Sequence, residues 1–133
     1  MIKVIEIRKA VTTYLKTIHP RLYYQVAPDN AQKPYLVYDL PNSIDDGSME
    51  RFVLEIDGWD SPENDDTTAL ETLMGNIDGD GDKLNPSGLN RKTITVNELG
   101  MIFYRENRLS PLDDDKRIRR RKYVYQIRTF VGG

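Results

Sequence analysis

The chain has 133 residues, 38% of them hydrophobic and 30% charged, and its formal net charge at pH 7 is −2. This length suits one domain spanning 1–133 around a single hydrophobic core, and the net acidity gives no general attraction to nucleic acid. The absence of cysteine excludes disulfides, and no apolar run approaches the roughly 20 residues of a transmembrane helix, so we expect no membrane contact.

The first half of the chain predicts one helix and three strands. Apolar residues recur at helical spacing over 3–18, with charged residues opposite them, and His19-Pro20 ends this helix. Charges interrupt the apolar residues at its start, which indicates that it is no signal peptide. Alternation of apolar and polar side chains, or short runs of aromatic and β-branched residues, then predicts strands over 23–26, 34–40 and 51–59.

The second half predicts another helix and three further strands. Apolar residues form one stripe over 66–77, Thr68 and Glu71 match a capping box, and Gly79 stands where a glycine ends a helix. Strands are predicted over 93–96, 101–105 and 119–131.

The order of these elements predicts the fold class. With the short candidate strand 93–96 left out, the order α-β-β-β-α-β-β indicates an α+β domain with a mainly antiparallel sheet of four to five strands and two helices packed on one face. We expect flexible loops near 41–50, 60–66, 78–91 and 106–118. The helices should bury their apolar stripes against the sheet, and the expected core contains Ile7, Val11, Leu15, Leu70, Leu73, Val37, Leu54 and Ile127.

The stretch Asp78-Gly79-Asp80-Gly81-Asp82 looks like the start of a calcium-binding loop. The rest of that pattern fails, because Lys83 stands where the loop needs glycine and Leu89 where it needs a bidentate glutamate. An acidic loop without a dedicated calcium site is the favoured interpretation.

No group of residues predicts catalysis. His19 is the one histidine and lies at a helix end beside a proline, with no evident serine or cysteine partner. The sequence contains no phosphate-binding glycine loop, zinc spacing or nucleophile elbow. We therefore expect no enzyme activity, no cofactor and no metal.

A basic run opens the last strand and carries the first group of candidate contact residues. Within it, Arg119 and Arg121 should point opposite to Arg120 and Lys122, because side chains alternate along a strand. The acidic residues 113–115 just upstream can cancel part of the charge. A self-neutralised strand entry is favoured over a subunit contact, and both are favoured over phosphate binding.

Trp59, at the end of the third predicted strand, is the other candidate contact residue. A lid on the core is the favoured interpretation, and an anchor for a partner is the alternative, since tryptophan is enriched at the energetic centres of interfaces.

After the first helix come Tyr23-Tyr24-Gln25-Val26-Ala27-Pro28 and Lys33-Pro34-Tyr35-Leu36-Val37-Tyr38. Together with the stretches that follow, and in this order, they resemble the tail-completion proteins of long-tailed phages and prophages, the tail terminators or tail-to-head joining proteins. The strand 53–59 ends in Asp-Gly-Trp, a helix follows, and an arginine-led alternating strand closes the chain. The insert at 78–88 and the dense basic run at 116–122 depart from the family pattern.

The resemblance implies a non-enzymatic virion protein that forms a ring, usually hexameric, at the head-tail interface. Such a ring ends the tail tube, contacts the tail tube protein and joins it to the head connector or head-completion protein. It is assembled in the host cytoplasm, and DNA passes through it without specific binding.

Two other function classes remain open from the residues alone. One is a small nucleic-acid-binding module that uses the C-terminal basic strand and its tyrosines. The other is an enzyme with a carboxylate pair, although the sequence selects no two carboxylates.

Overall fold

A computed structural model describes residues 2–45, 47 and 49–131 of the chain. These residues form two α-helices, seven β-strands and a short 3-10 turn, Glu63–Asp65. The helices are α1 (Lys3–Lys16) and α2 (Thr68–Asp78). The strands are β1 (Leu22–Tyr24), β2 (Tyr35–Asp39), β3 (Ser43–Asp45), β4 (Glu50–Asp60), β5 (Thr93–Val96), β6 (Leu99–Leu109) and β7 (Arg119–Val131).

All seven strands belong to one sheet with the order β1-β2-β4-β7-β6-β5, and β3 pairs with the outer end of β4. The β1–β2 pair is parallel, and the other pairs are antiparallel. The two long strands β4 and β7 form the centre of the sheet, in register from Arg51 opposite Arg128 to Asp60 opposite Arg119. The predicted α+β class and mainly antiparallel sheet are confirmed.

Both helices pack on the same face of the sheet, as predicted. Tyr38 on β2 faces α1, where its hydroxyl lies 2.6 Å from the Thr12 hydroxyl. Gly58 on β4 faces α2 so closely that a Cβ there would lie 2.7 Å from Met74 Sδ. The fully buried side chains between helices and sheet include Ile7, Val11, Leu15, Leu36, Leu54, Leu70, Met74, Phe103, Tyr125 and Ile127.

The predicted strand number and order were partly wrong. The sheet has seven strands where four to five were expected, and β3 lies inside the range 41–50 that was expected to be loop. All three residues of β3 are exposed, so none of its side chains belongs to the core and the pattern of buried residues could not reveal the strand. Strand β6 continues to Leu109, past the predicted end at 105. A bulge between Arg105 and Asn107 shifts the strand register there, and the exposed residues beyond it give no apolar alternation that would reveal the strand.

The predicted core had one wrong residue on β2. Leu36 and Tyr38 are buried under the helices, whereas Val37 points to the other face of the sheet and is half-buried. A strand with apolar residues on both faces does not specify which set faces the core, and a shift of one residue exchanges the two sets. Leu73 on α2 also packs at the edge of the core and is only partly buried.

The start of α2 does not use the predicted capping box. Asp66 accepts hydrogen bonds from the Thr68 backbone N–H at 2.9 Å and from its hydroxyl at 2.6 Å. These bonds lower the pKa of Asp66 below its usual value, because they favour the charged carboxylate. Gly79 ends α2 with a positive φ of 77°, as predicted. Within the described residues, neither helix is long and apolar enough to cross a membrane.

Candidate interface on the helix-free face of the sheet

The face of the sheet opposite to the helices carries three of the predicted contact residues, Trp59, Arg120 and Lys122. We call it the open face. Its strands β1, β2, β4 and β7 present half-buried side chains of mixed character, namely Tyr23, Tyr35, Val37, Val53, Glu55, Asp57, Trp59, Arg120, Lys122, Val124 and Gln126. Side chains of alternating position on β1, β2, β4 and β7 reach this face because they lie opposite to the buried ones.

An aromatic row crosses one end of the open face. Tyr23 meets Tyr35 edge-on with ring centroids 6.0 Å apart, and Tyr35 stacks on Trp59 at 6.1 Å with an interplanar angle of 18°. The Arg120 guanidinium lies over the Trp59 ring, 4.7 Å from its centroid. Trp59 therefore lies on the side of the sheet away from the helices, not over the core beneath them. Its proposed role as a partner anchor stays a prediction.

The basic run divides between the two faces of the sheet, as strand alternation predicts. Arg120 donates two hydrogen bonds to Asp57 Oδ2, at 3.0 and 2.6 Å, and Lys122 pairs with Glu55 at 3.2 Å on the open face. Arg121 points the other way and pairs with Glu71 of α2 at 2.9 Å. Binding of a phosphate group by these cations would require them to leave their carboxylates.

The partners of the basic run differ from those expected. Arg119 pairs with Asp65 of the 3-10 turn at 2.5 Å, and the carboxylates opposite Arg120, Arg121 and Lys122 come from β4 and α2. Of the acidic residues 113–115, Asp115 forms an ion pair with Arg117 at 2.9 Å. The predicted neutralisation by 113–115 is found in the described residues only for Arg117, whereas the partners of the strand cations lie far away in sequence and could not be identified from spacing.

Asp57 is the most desolvated carboxylate of the open face. Burial raises its pKa, and the hydrogen bonds from Arg120 and the charges of Arg120 and Lys122 only partly offset this effect. Its second oxygen, Oδ1, has Lys122 Nζ at 3.9 Å, too far for a hydrogen bond. The ion pairs at the centre of the open face are thus already largely removed from water.

The acidic stretch 78–82 has structural roles. Asp78 is buried and accepts a hydrogen bond from the Tyr125 hydroxyl at 2.7 Å, while its second oxygen is paired with Arg105. Asp80 accepts the backbone N–H groups of Asp82 and Ser87, at 3.0 and 3.1 Å. In the part of the chain that the structure describes, no cluster of three or more histidine, aspartate or glutamate residues is placed to hold a metal ion.

His19 makes a local structural contact. Its Nε2 donates to the carbonyl of Pro34 at 2.8 Å, and the Arg21 Nε donates to the same oxygen at 3.0 Å. The pair joins the end of α1 to the start of β2.

A second surface, an apolar groove between α1 and β5, was not predicted. We call it the α1–β5 groove. Its volume is about 440 Å³, and it is lined by Lys9, Ala10, Thr13, Tyr14, Thr17, Lys92, Ile94, Thr95 and Val96. The available signal was the small residue Ala10 in the apolar stripe of the first helix, beside a predicted strand with two β-branched apolar residues.

Comparison with known proteins gives one kind of similarity. No protein-family model matches the chain, and no curated protein matches it. Sixteen chains of solved structures match. One belongs to a structure described as the virion of a native gene transfer agent particle, with a TM-score of 0.50 and 14% sequence identity over 86% of this chain and 83% of that chain. At this identity the likeness shows a shared fold.

Proposed function

We propose that this protein is a structural component of a phage-like virion. The observation that carries the proposal is the fold, because a chain of a gene transfer agent virion shares it over most of both lengths. The candidate residues agree with this role: the charged side chains at the centre of the open face form ion pairs, Arg120 with Asp57 and Lys122 with Glu55, which suits a surface for assembly more than a reaction site.

Within the virion, we assign the protein to the ring that ends the tail tube and joins it to the head connector. The support comes from two of the stretches that resemble tail-completion proteins. They are 33–38 and 53–59, and they pair directly as neighbouring strands, with Tyr35 opposite Trp59. Tyr35 and Trp59 from these two stretches stack on each other in the aromatic row at one end of the open face.

A ring explains how a small protein of modest charge performs this task. Many weak contacts that form together give a strong attachment, so each subunit needs only a limited interface. Six copies with a net charge of −2 each would give the ring about −12, which repels DNA in the lumen and allows it to slide. Self-association, the tail tube protein and the head connector are the partners of this proposal.

Binding to purified tail tubes tests the proposal directly. The protein should co-sediment with tubes, and electron microscopy should find it as a ring at one tube end. Protein that stays in the supernatant at every concentration, or that coats the tube sides without reaching an end, would contradict the proposal. Heat-denatured protein is the control for nonspecific sedimentation.

A further inference from the structure

One leucine is almost fully exposed at the far end of the molecule from the α1–β5 groove. Leu112 lies in the connection between β6 and β7, and 97% of its surface is accessible. It follows Pro111 and precedes Asp113, Asp114 and Asp115. We call residues 110–115 the acidic hairpin. Its apolar tip gains nothing from the fold of its own subunit.

The α1–β5 groove has the complementary character. It is apolar at its base, with Ala10, Tyr14 and Val96, and two lysines, Lys9 and Lys92, stand among its described lining residues, which contain no carboxylate. Lys9 is 59% exposed and has one ion pair at 3.5 Å, with Glu6 of its own helix. A dry cavity of about 150 Å³ holds a benzene ring, so a groove of about 440 Å³ has room for a leucine and its neighbour.

We propose that Leu112 of one copy of this chain docks in the α1–β5 groove of the next copy, with Asp113 and Asp114 beside Lys9 and Lys92. This inference rests on the proposed ring and identifies the contact between its subunits. An apolar tip in an apolar groove supplies the attraction, and the opposite charges around it fix the orientation.

The positions of the two surfaces make this contact head-to-tail. The groove lies at the start of β6, where Thr95 pairs with Gly100, and the acidic hairpin follows its end at Leu109. Nine residues of antiparallel strand separate these points by roughly 30 Å. A subunit therefore offers the hairpin at one end and the groove at the other, and contacts between different surfaces close into rings when the rotation permits.

Cross-linking tests the contact in a chain that has no cysteine of its own. The double variant Thr13→Cys/Pro111→Cys keeps Leu112 and should form disulfide-linked species larger than dimers under mild oxidation, because each copy has one thiol in the groove and one on the hairpin beside Leu112. Neither single variant should form them, and a mixture of the two single variants should form a linked pair. A double variant that links no better than the single ones would overturn the proposal, as would linkage through Pro111→Cys alone.

Substitution at the tip tests its energetic role. Leu112→Asp should raise the dissociation constant for self-association about ten- to hundredfold, the loss expected for one buried leucine. Leu84→Asp is the matched control, because Leu84 is 96% exposed in another loop. Equal self-association of both variants and the wild type would contradict the proposal.

A complementation experiment distinguishes a head-to-tail contact from a symmetric one. Leu112→Asp protein keeps an intact groove, and Thr13→Trp protein, whose groove is filled from an exposed position outside the core, keeps an intact hairpin. Mixed together, they should form a heterodimer that grows no further. Rings or no complex at all in the mixture would overturn the head-to-tail arrangement.

The result is separable from the proposed function. If the double-cysteine variant forms no disulfide-linked species larger than dimers while the wild type still caps tail tubes as a ring, the contact is wrong and the proposed function stands. If these linked species form but tubes are never bound, the contact stands and the proposed function fails.

Discussion

At the scale of single residues, buried carboxylates have a larger role than the composition suggests. Asp78 ends α2, is 5% exposed, and joins Tyr125 of β7 with Arg105 of β6. Asp57 joins Arg120 and Lys122 on the open face. Both aspartates connect central strands to other parts of the molecule through charge-assisted hydrogen bonds, which are stronger than neutral ones.

Loss of the Tyr125 hydroxyl should destabilise the fold. Tyr125→Phe leaves one oxygen of Asp78 without its donor in a buried site, and we expect the free energy of unfolding to fall by about 1–3 kcal/mol. Tyr123→Phe, two positions earlier on the same face of β7, is the control and should change it less. Chemical denaturation measures both. Equal effects would mean that the Asp78 hydrogen bond contributes nothing specific.

The same pair predicts a pH dependence at alkaline pH. Burial and the neighbouring Asp78 raise the pKa of Tyr125 well above its usual value. The unfolded state releases this proton above a pH of about 10, while the folded state keeps it, so stability falls as the pH rises beyond that point. The stability difference between wild type and Tyr125→Phe should therefore shrink above a pH of about 10. A constant difference up to the alkaline unfolding of the wild type would contradict this prediction.

Removal of Arg120 should destabilise the protein as well as the open face. Arg120→Ala leaves Asp57 with no hydrogen-bond donor from that strand, at a cost of about 1.5–3 kcal/mol in the free energy of unfolding. Arg128→Ala, an exposed position on the same strand and face, is the control and should cost less. Urea denaturation checks the pair, and an Arg120→Ala protein as stable as the control would refute the assignment. A charge reversal at Arg120 therefore tests folding and assembly together, and is a poor test of assembly alone.

At the scale of elements, the long regular segments were predictable and the short exposed ones were not. Both helices and the two central strands were recognised because their apolar periodicity runs over many residues. The register of β2 was missed because Val37 is as apolar as Leu36, and β3 was missed because its residues are all exposed. Trp59 and the basic run were identified as candidate contacts from the sequence. The ion-pair partners of the basic residues were not, because they lie up to 67 positions away in sequence.

The loop after α2 illustrates the same limit. Its composition predicted a flexible acidic segment, yet its two ends meet: a Cβ on Gly88 would lie 2.4 Å from the backbone of Asp78 and Gly79. Two backbone hydrogen bonds close the loop: the Leu89 N–H donates to the Ile77 carbonyl at 2.7 Å, and the Asn90 N–H donates to the Asp78 carbonyl at 3.1 Å. Glycine is required at Gly88 because the backbones are in contact there.

Two glycine substitutions should therefore have opposite effects on stability. Gly88→Ala forces the loop ends apart and should lower the free energy of unfolding by more than about 1 kcal/mol. Gly75→Ala lies within α2, where a Cβ would meet nothing within 4 Å, and should raise it by about 0.5–1 kcal/mol. Thermal unfolding of both variants decides the matter, and a neutral Gly88→Ala would show that the loop ends separate without cost.

At the scale of the whole molecule, the ion pairs of the basic run favour a role in assembly over nucleic-acid binding. The carboxylates opposite Arg119, Arg120, Arg121 and Lys122 compete with phosphate groups for these cations. We expect weak or undetectable binding of a short DNA duplex at physiological salt, measured by fluorescence anisotropy. Tight binding whose association constant falls about tenfold per phosphate contact for each tenfold rise in salt concentration would favour the nucleic-acid alternative instead.

Imaging of assembled tails tests most directly the proposed role of the protein in completing a virion tail. Electron microscopy should compare tails assembled with and without this chain in the system that encodes it. With the chain, tails should end in a ring and attach to heads. Without it, tubes should lack the terminal ring and remain separate from heads, and added purified protein should restore attachment. Complete head-tail particles of normal form in the absence of the chain would contradict the account.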